Sequence, residues 1–159
     1  MKEISFLTKL KKEYKLKLVE PSEEIRKSYI LKSESNLISA MILLNNNKFE
    51  ECVGLAYYSM YNLLTALLFK AGIKCENHTG SIIILKEIFG QNNEYILYAK
   101  KERIDKQYYV GFSIAKDEVM DTIKKTEEFN NSLFDFISKL NSDDIKLYRK
   151  RFMEIIAKI

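Results

Sequence analysis

Three groups of residues carry side chains that could do chemistry. The first is the run Ala56-Tyr57-Tyr58-Ser59-Met60-Tyr61-Asn62. Tyr57 and Tyr61 are four apart and share one helix face, with Tyr58 turned about 100° aside. On a core helix such rings pack inward and satisfy their hydroxyls at the core edge; exposed, they offer stacking surfaces. The second group is Asn77-His78-Thr79-Gly80, which holds the chain's single histidine. Thr79 is a natural N-cap for a following helix, which places His78 just outside it. There the imidazole either bonds nearby backbone or faces an anion near the helix N-terminus. The third group runs Lys100-Lys101-Glu102-Arg103-Ile104-Asp105-Lys106-Gln107-Tyr108-Tyr109-Val110. Cations with aromatics among them suit phosphate and base contacts, whereas the same charges on a helix end otherwise make a solvated face.

Most standard chemistries are missing from the remainder. There is no Gly-x-Gly-x-x-Gly, no Gly-Lys-Ser/Thr phosphate loop and no Gly-x-Ser-x-Gly elbow. One histidine cannot build a histidine metal cluster, and Cys52 and Cys75 match no zinc spacing. No metal and no cofactor is therefore expected, and the ordinary designs of hydrolase, oxidoreductase and metalloenzyme are disfavoured. The two cysteines read as reduced thiols in or near a core. The N-terminal stretch has no apolar signal-peptide segment, so a cytoplasmic setting is expected.

These groups need elements to hold them. The chain has 159 residues, 47% of them hydrophobic and 30% charged, with one proline and five glycines. That is enough apolar mass for one domain spanning 1–159, with a core about 20–140, and too few turn residues for a sandwich or barrel. Lysines and arginines number 26 against 22 acids, a net charge of +4 and a pI near 8.9. This mild basic balance permits a nucleic-acid partner without requiring one. The expected fold is all-α, an antiparallel up-and-down bundle of four to five helices with extra N- and C-terminal segments. The first strong helix opens at Pro21-Ser22-Glu23-Glu24 and runs to about Asn45–Asn47. The second spans about Lys48–Ala71 and is apolar nearly all round, so it must be central. Its 18-residue uncharged stretch, Cys52–Phe69, approaches the length of a membrane span. Three tyrosines, an asparagine and a serine at its middle favour a buried helix instead, with no membrane partner. Gly54, Ala56 and Ser59 let neighbours approach it closely.

Further helices are expected at Thr79–Phe89, at about Asn93–Gln107, from a cap at Ser113 to about Leu140, and at Asp143–Lys158. Gly72, Gly80, Gly90 and Gly111 act as punctuation, with Gly80 in a loop. The helix from Ser113 carries the stripe Val119, Ile123, Thr126, Asn130, Leu133, Ile137, whose two polar members read as hydrogen-bonded core residues or an interface. The first 20 residues read as a helix plus an extended arm. The apolar second helix and this stripe together exceed what four helices of this size hide alone, which leads to the expectation of a homodimer.

In order and spacing the pieces resemble a HEPN domain: Ala56-Tyr57-Tyr58-Ser59-Met60-Tyr61-Asn62, then Leu67-Leu68-Phe69-Lys70-Ala71-Gly72-Ile73, then His78 with Gly80, then Arg103 before Gln107-Tyr108-Tyr109-Val110. Val19-Glu20-Pro21-Ser22 and the helix after it also fit. The resemblance covers about residues 15–140 and is narrowest to the small stand-alone HEPN proteins of archaea and bacteria, an uncharacterised group. It implies a helical bundle that dimerises. Many HEPN proteins are metal-independent ribonucleases in which an arginine is followed, after four to six residues, by a histidine. The arginine holds the scissile phosphate and the histidine moves the proton of the 2′-hydroxyl. Others pair with a small nucleotidyltransferase in toxin–antitoxin modules.

The chain departs from that motif. Arg103 stands at the arginine position, but Tyr108, Tyr109 and Val110 occupy the places for histidine. A phenol with a pKa near 10 is a poor base at neutral pH. In some two-gene modules the partner adenylylates a tyrosine two residues past the histidine; that place holds Val110, with Tyr109 beside it. The resulting expectation is a dimeric HEPN-type protein, one half of a toxin–antitoxin-like pair with a nucleotidyltransferase. It binds RNA or nucleotides through Arg103, Lys106, Gln107, Tyr108, Tyr109, His78 and Tyr58, and lacks the usual catalytic histidine. Two alternatives stay open: a divergent metal-independent endoribonuclease using Arg103 and His78, and a non-catalytic protein-interaction module.

Overall fold

The computed structural model describes residues 1–108 and 115–157, with backbone only for 106–108. Among them the chain forms seven helices and a two-stranded ribbon: α1 (Lys2–Lys12), β1 (Leu16–Leu18), α2 (Glu23–Asn45), α3 (Phe49–Ala71), β2 (Ile73–Cys75), α4 (His78–Glu87), α5 (Glu94–Tyr108), α6 (Lys116–Lys139) and α7 (Ser142–Ile156). The all-α bundle expected from the sequence is the fold observed. α2, α3, α5 and α6 form its body, with α3 in the middle.

α3 is central because its residues leave no polar face. Cys52, Val53, Ala56, Tyr57, Met60, Leu64, Leu67 and Ala71 are all buried. Of its most apolar stretch, 67% is buried inside the fold. The helix is long and apolar enough to cross a membrane, but here its sides are covered by neighbouring helices. α2 runs antiparallel to it across the turn at Asn46–Lys48; Asn36 meets Asn62, and farther from the turn Tyr29 stacks on Phe69. Small residues set how closely they approach. The Ser33 hydroxyl donates to the Ser59 carbonyl at 2.7 Å, and the Ser59 hydroxyl donates to the Ser33 carbonyl at 2.8 Å. Asn130 on α6 donates to the Ser59 hydroxyl at 2.9 Å, and Thr126 donates to Thr122 O within its own helix. The polar spots of the α6 stripe are thus hydrogen-bonded within one chain, Asn130 to a neighbouring helix and Thr126 to its own. With α3 and this stripe hidden inside a single copy, the area argument for a dimer loses its ground.

Most helix ends fall near the expected places, with their caps corrected in detail. Ser22 caps α2 by accepting from Ile25 N, and Gly72 ends α3 in the left-handed conformation at φ 71°. α7 is capped by Asn141, through a reciprocal box with Asp144. α6 starts after Ala115; Ser113, the expected cap, lies outside the described residues.

The ribbon was not expected. Leu16 pairs with Cys75, Lys17 with Lys74 and Leu18 with Ile73, antiparallel. Leu16 is buried and Lys17 exposed, the alternation of a strand with one face on the core. Three-residue strands are marginal alone; α1, packed on α4 and α7, holds these in place. The ribbon ties the N-terminal segment to the two-residue connection that leads into α4. One core cluster joins Leu7 and Leu10 of α1 to Leu64 of α3, Leu85 of α4 and Phe152 of α7. A smaller one, with Ala40, Val53 and Ile123, lies between α2, α3 and α6.

Candidate functional site

α3, α4 and α5 converge on one group of side chains. α3 supplies Tyr57, Tyr58 and Tyr61. Tyr57 is fully buried, and the other two are half-buried. α4 supplies His78 as its first residue. Its cap is Asn77, whose side-chain oxygen accepts from Gly80 N at 2.8 Å, so Thr79 is not the cap and Gly80 is helical and buried, not in a loop. Gly80 is required by proximity: a Cβ there would strike Leu10 of α1 and press on Cys75 of β2. This close fit, with the ribbon behind it, fixes where the first turn of α4 presents His78.

The imidazole lies among the three phenols. It stacks on Tyr61 with ring centres 3.9 Å apart and planes 21° from parallel, and meets Tyr58 edge-on at 6.4 Å. Its Nδ1 is 2.9 Å from the Tyr57 hydroxyl. From α5, the Arg103 guanidinium lies 4.9 Å over the Tyr58 ring and 5.6 Å over Tyr57, in cation–π contact. One turn earlier, Lys100 Nζ donates to Thr79 Oγ1 at 2.5 Å. Histidine and arginine, 25 positions apart in sequence, therefore share the same two tyrosines.

The electrostatics follow from burial and crowded positive charge. Desolvation, then Arg103 and Lys100, hold the His78 pKa below its ordinary value, so the ring is neutral at pH 7. Burial first, then Arg103, lowers the Lys100 pKa. Burial raises Tyr57 far above the ordinary phenol range and raises Tyr61 as well, so neither serves as a base near neutrality. The result is a partly open site with two cations, a neutral imidazole and, in Tyr57 and Tyr61, protonated phenols.

A groove of about 380 Å³ adjoins it across Tyr58 and Tyr61. Tyr29, stacked on Phe69 at 5.7 Å, forms part of its wall, with Lys32 4.7 Å from the Tyr29 ring and Lys74 on the β2 side. Among the described residues no group of three or more histidine, cysteine or acidic side chains could hold a metal ion. The two cysteines are unpaired and their thiols are held protonated: burial pushes Cys52 up to about 11 and raises Cys75, whose Sγ donates to Asn77 O.

Of the residues expected at a site, Arg103, His78 and Tyr58 are brought together. Tyr109 and the side chains of Lys106, Gln107 and Tyr108 lie outside the described residues. Tyr57, Tyr61 and Lys100 complete the cluster and were not among the expected site residues. Helical spacing contained the signal for them: Tyr57 with Tyr61 at four apart, and Lys100 with Arg103 at three.

The resemblance implied a helical bundle, and a bundle is what the chain forms; the tyrosine run of its central helix meets an arginine from a neighbouring helix. The family model described as HEPN domain matches residues 26–136, and the chain belongs to the HEPN domain family. Over 60 residues, 38% of this chain, it is 42% identical to UPF0332 protein PH1297 of Pyrococcus horikoshii. That stretch spans 42% of the relative's own length.

Proposed function

We propose that this protein binds RNA or nucleotides at the Tyr58–His78–Arg103 cluster, as a homodimer, and that it works as one half of a toxin–antitoxin-like pair with a small nucleotidyltransferase. The observation that carries the binding reading is Arg103 lying on the Tyr58 ring beside a second cation. A planar guanidinium held there offers forked donors to phosphate, and the aromatic groove beyond Tyr58 offers stacking surfaces for the next base. Membership of the HEPN family supports the same class of ligand. The dimer has a different support from the one read in the sequence. On α2, Leu31, Ile38 and Ile42 are 64%, 60% and 56% exposed and recur at seven and four residues, a bare apolar stripe along one helix. A second copy covering it would double the mass from 18.7 kDa, which light scattering measures directly. The test of binding is fluorescence anisotropy with single-stranded RNA and with mononucleotides. No binding of either by the wild-type protein would end this reading.

A metal-independent ribonuclease is the second reading, favoured by the approach of His78 and Arg103 to the same tyrosines. It departs from the family pattern because this histidine precedes the arginine and comes from another helix. We expect cleavage to be slow or absent. A positioned histidine acid or base contributes roughly 100- to 10,000-fold. The assay compares wild type, His78→Ala and Arg103→Ala on mixed RNA in chelator. Robust cleavage lost in both variants would install the ribonuclease; cleavage surviving both would mark a contaminant.

A further inference from the structure

We propose that Tyr57 is a positioning residue that fixes His78 as its Nε2–H tautomer, so that the imidazole enters the cationic site as a hydrogen-bond donor to a phosphate oxygen. This rests on the reading of the cluster as a site for RNA or nucleotides, and adds what the histidine does there.

The argument starts at the Tyr57 hydroxyl. Its side chain has no exposed surface, and among the described residues the hydroxyl has one hydrogen-bond partner, Nδ1 of His78 at 2.9 Å. A buried O–H must donate to an acceptor or remain an unsatisfied donor. Nδ1 accepts only when it carries no hydrogen, so the hydrogen of the neutral ring sits on Nε2. The reverse arrangement, Nδ1–H donating to the phenol oxygen, would leave the phenol hydrogen with no acceptor among these residues. A ring turned over by 180° would put carbon against the hydroxyl and lose the bond altogether. Imidazolium has the same defect as the reversed tautomer, since both its nitrogens donate. Tyr57 therefore opposes protonation of His78 through its hydrogen bond as well as by covering it.

Nε2, on the far side of the ring from Tyr57, hydrogen-bonds none of the described residues, and His78 is only partly buried. The nitrogen groups that meet a ligand here are then all donors, the Arg103 guanidinium, hydrogens of the Lys100 ammonium not given to Thr79, and His78 Nε2–H, and the Tyr58 hydroxyl can turn to donate with them. A site of donors with positive charge selects a group made only of acceptors with negative charge, and among the parts of a nucleotide that is the phosphate. The same tautomer has no lone pair at Nε2 with which to take a proton from a 2′-hydroxyl. The resting ring binds; it does not act as the base.

The chain has one histidine, so ring nitrogens in a 15N NMR spectrum belong to His78 without ambiguity. In the ligand-free wild-type protein at neutral pH, the hydrogen should be found on Nε2, with Nδ1 unprotonated. That measurement needs no variant to fold. In Tyr57→Phe the two tautomers should interconvert, and the proton affinity of the ring should rise about tenfold. Added inorganic phosphate, and then a short oligouridylate, should move the Nε2–H resonance in wild type, and Arg103→Ala should need about tenfold more ligand for the same movement. A hydrogen on Nδ1 in the wild-type protein would overturn the role of Tyr57. Oligouridylate binding with the Nε2–H resonance unmoved would overturn the role of His78 while leaving the binding function standing. If neither phosphate nor RNA binds, the binding function falls and this ligand assignment with it, while the ligand-free spectrum still judges the tautomer.

Discussion

Two arginines flank α3 and do opposite things. Arg149, on α7, directs one nitrogen, Nη1, at three backbone carbonyls: Val19 O at 2.9 Å, Ala71 O at 3.0 Å and Gly72 O at 2.9 Å. It neutralises the carbonyl end of the central helix and joins that end to the segment that follows β1. Arg103 instead lies against ring faces, next to Lys100 and His78, whose protons it makes less stable. An arginine that closes backbone carbonyls contributes to the fold. An arginine crowded with other positive groups gives up stability through repulsion, which a bound anion relieves. Both chemistries come from the same residue type, and only the neighbours tell them apart.

The comparison breaks most easily at Arg149. Arg149→Ala leaves three carbonyls without their shared donor and a helix C-terminus without its charge. We expect a loss of about 3 kcal/mol, since hydrogen bonds to a charged group contribute about 1.5–3 kcal/mol each and these share one nitrogen. For a chain of this size that lowers the melting temperature by roughly 10 °C. Gly72→Ala should lose a comparable amount, because its Cβ would strike the guanidinium and Val19 O at a φ of 71°. Affinity for RNA, measured well below the melting point, should be unchanged in both. An Arg149→Ala protein that melts like wild type would remove the contrast.

Arg103→Ala should show the reverse pattern. Stability should stay within about 1 kcal/mol of wild type, as the loss of its contacts, ring faces among them, is offset by relief of repulsion with Lys100 and His78. Affinity for single-stranded RNA should fall about tenfold, or about 1.4 kcal/mol. The dependence of log affinity on log salt should flatten by roughly 0.7, the share of one phosphate contact on a single strand. A large drop in melting temperature with unaltered binding would make Arg103 a second Arg149.

The helices and one side of this contrast were legible before any fold was known, and the illegible side has a physical reason. α3 was readable because a helix apolar on all sides has only one place to go. The ends of α2 and α3 were readable because Ser22 and Gly72 act locally, through one side-chain bond and one backbone angle. Gly80 was misread because helix-interior glycine and loop glycine look alike; what demands it is the approach of Leu10 and Cys75 from distant parts of the chain. The ribbon was invisible for a similar reason, since Leu16–Leu18 and Ile73–Cys75 are each too short to carry a period. At the site, the tyrosine pair and Arg103 announced themselves by type and spacing. That His78 bonds Tyr57 while Arg103 lies on the same rings depends on three helices meeting. Nothing local marks Arg149, because its carbonyl partners belong to segments about 80 and 130 positions away.

The smallest expected effect sharpens the comparison through pH. His78 faces Tyr57, Tyr58 and Tyr61 from α3 and the cations Arg103 and Lys100 from α5, and its folded pKa lies below the ordinary 6.5. As pH falls through that value, the unfolded chain takes up a proton before the folded chain does. Stability from the neutral ring is therefore fully present above about pH 6.5 and is lost as pH falls towards the folded pKa. The slope stays under the one-proton limit of about 1.4 kcal/mol per pH unit. His78→Asn retains an acceptor for Tyr57 but cannot titrate, so below pH 6.5 its urea-derived stability should fall less steeply than that of wild type, with parallel curves above pH 7. Curves parallel over the whole range would mean that His78 is not held neutral by its neighbours. Saturating phosphate, placed beside Arg103 and Lys100, should offset their repulsion and bring the wild-type curve nearer to that of the variant. The carbonyls around Arg149 do not titrate and offer no such response.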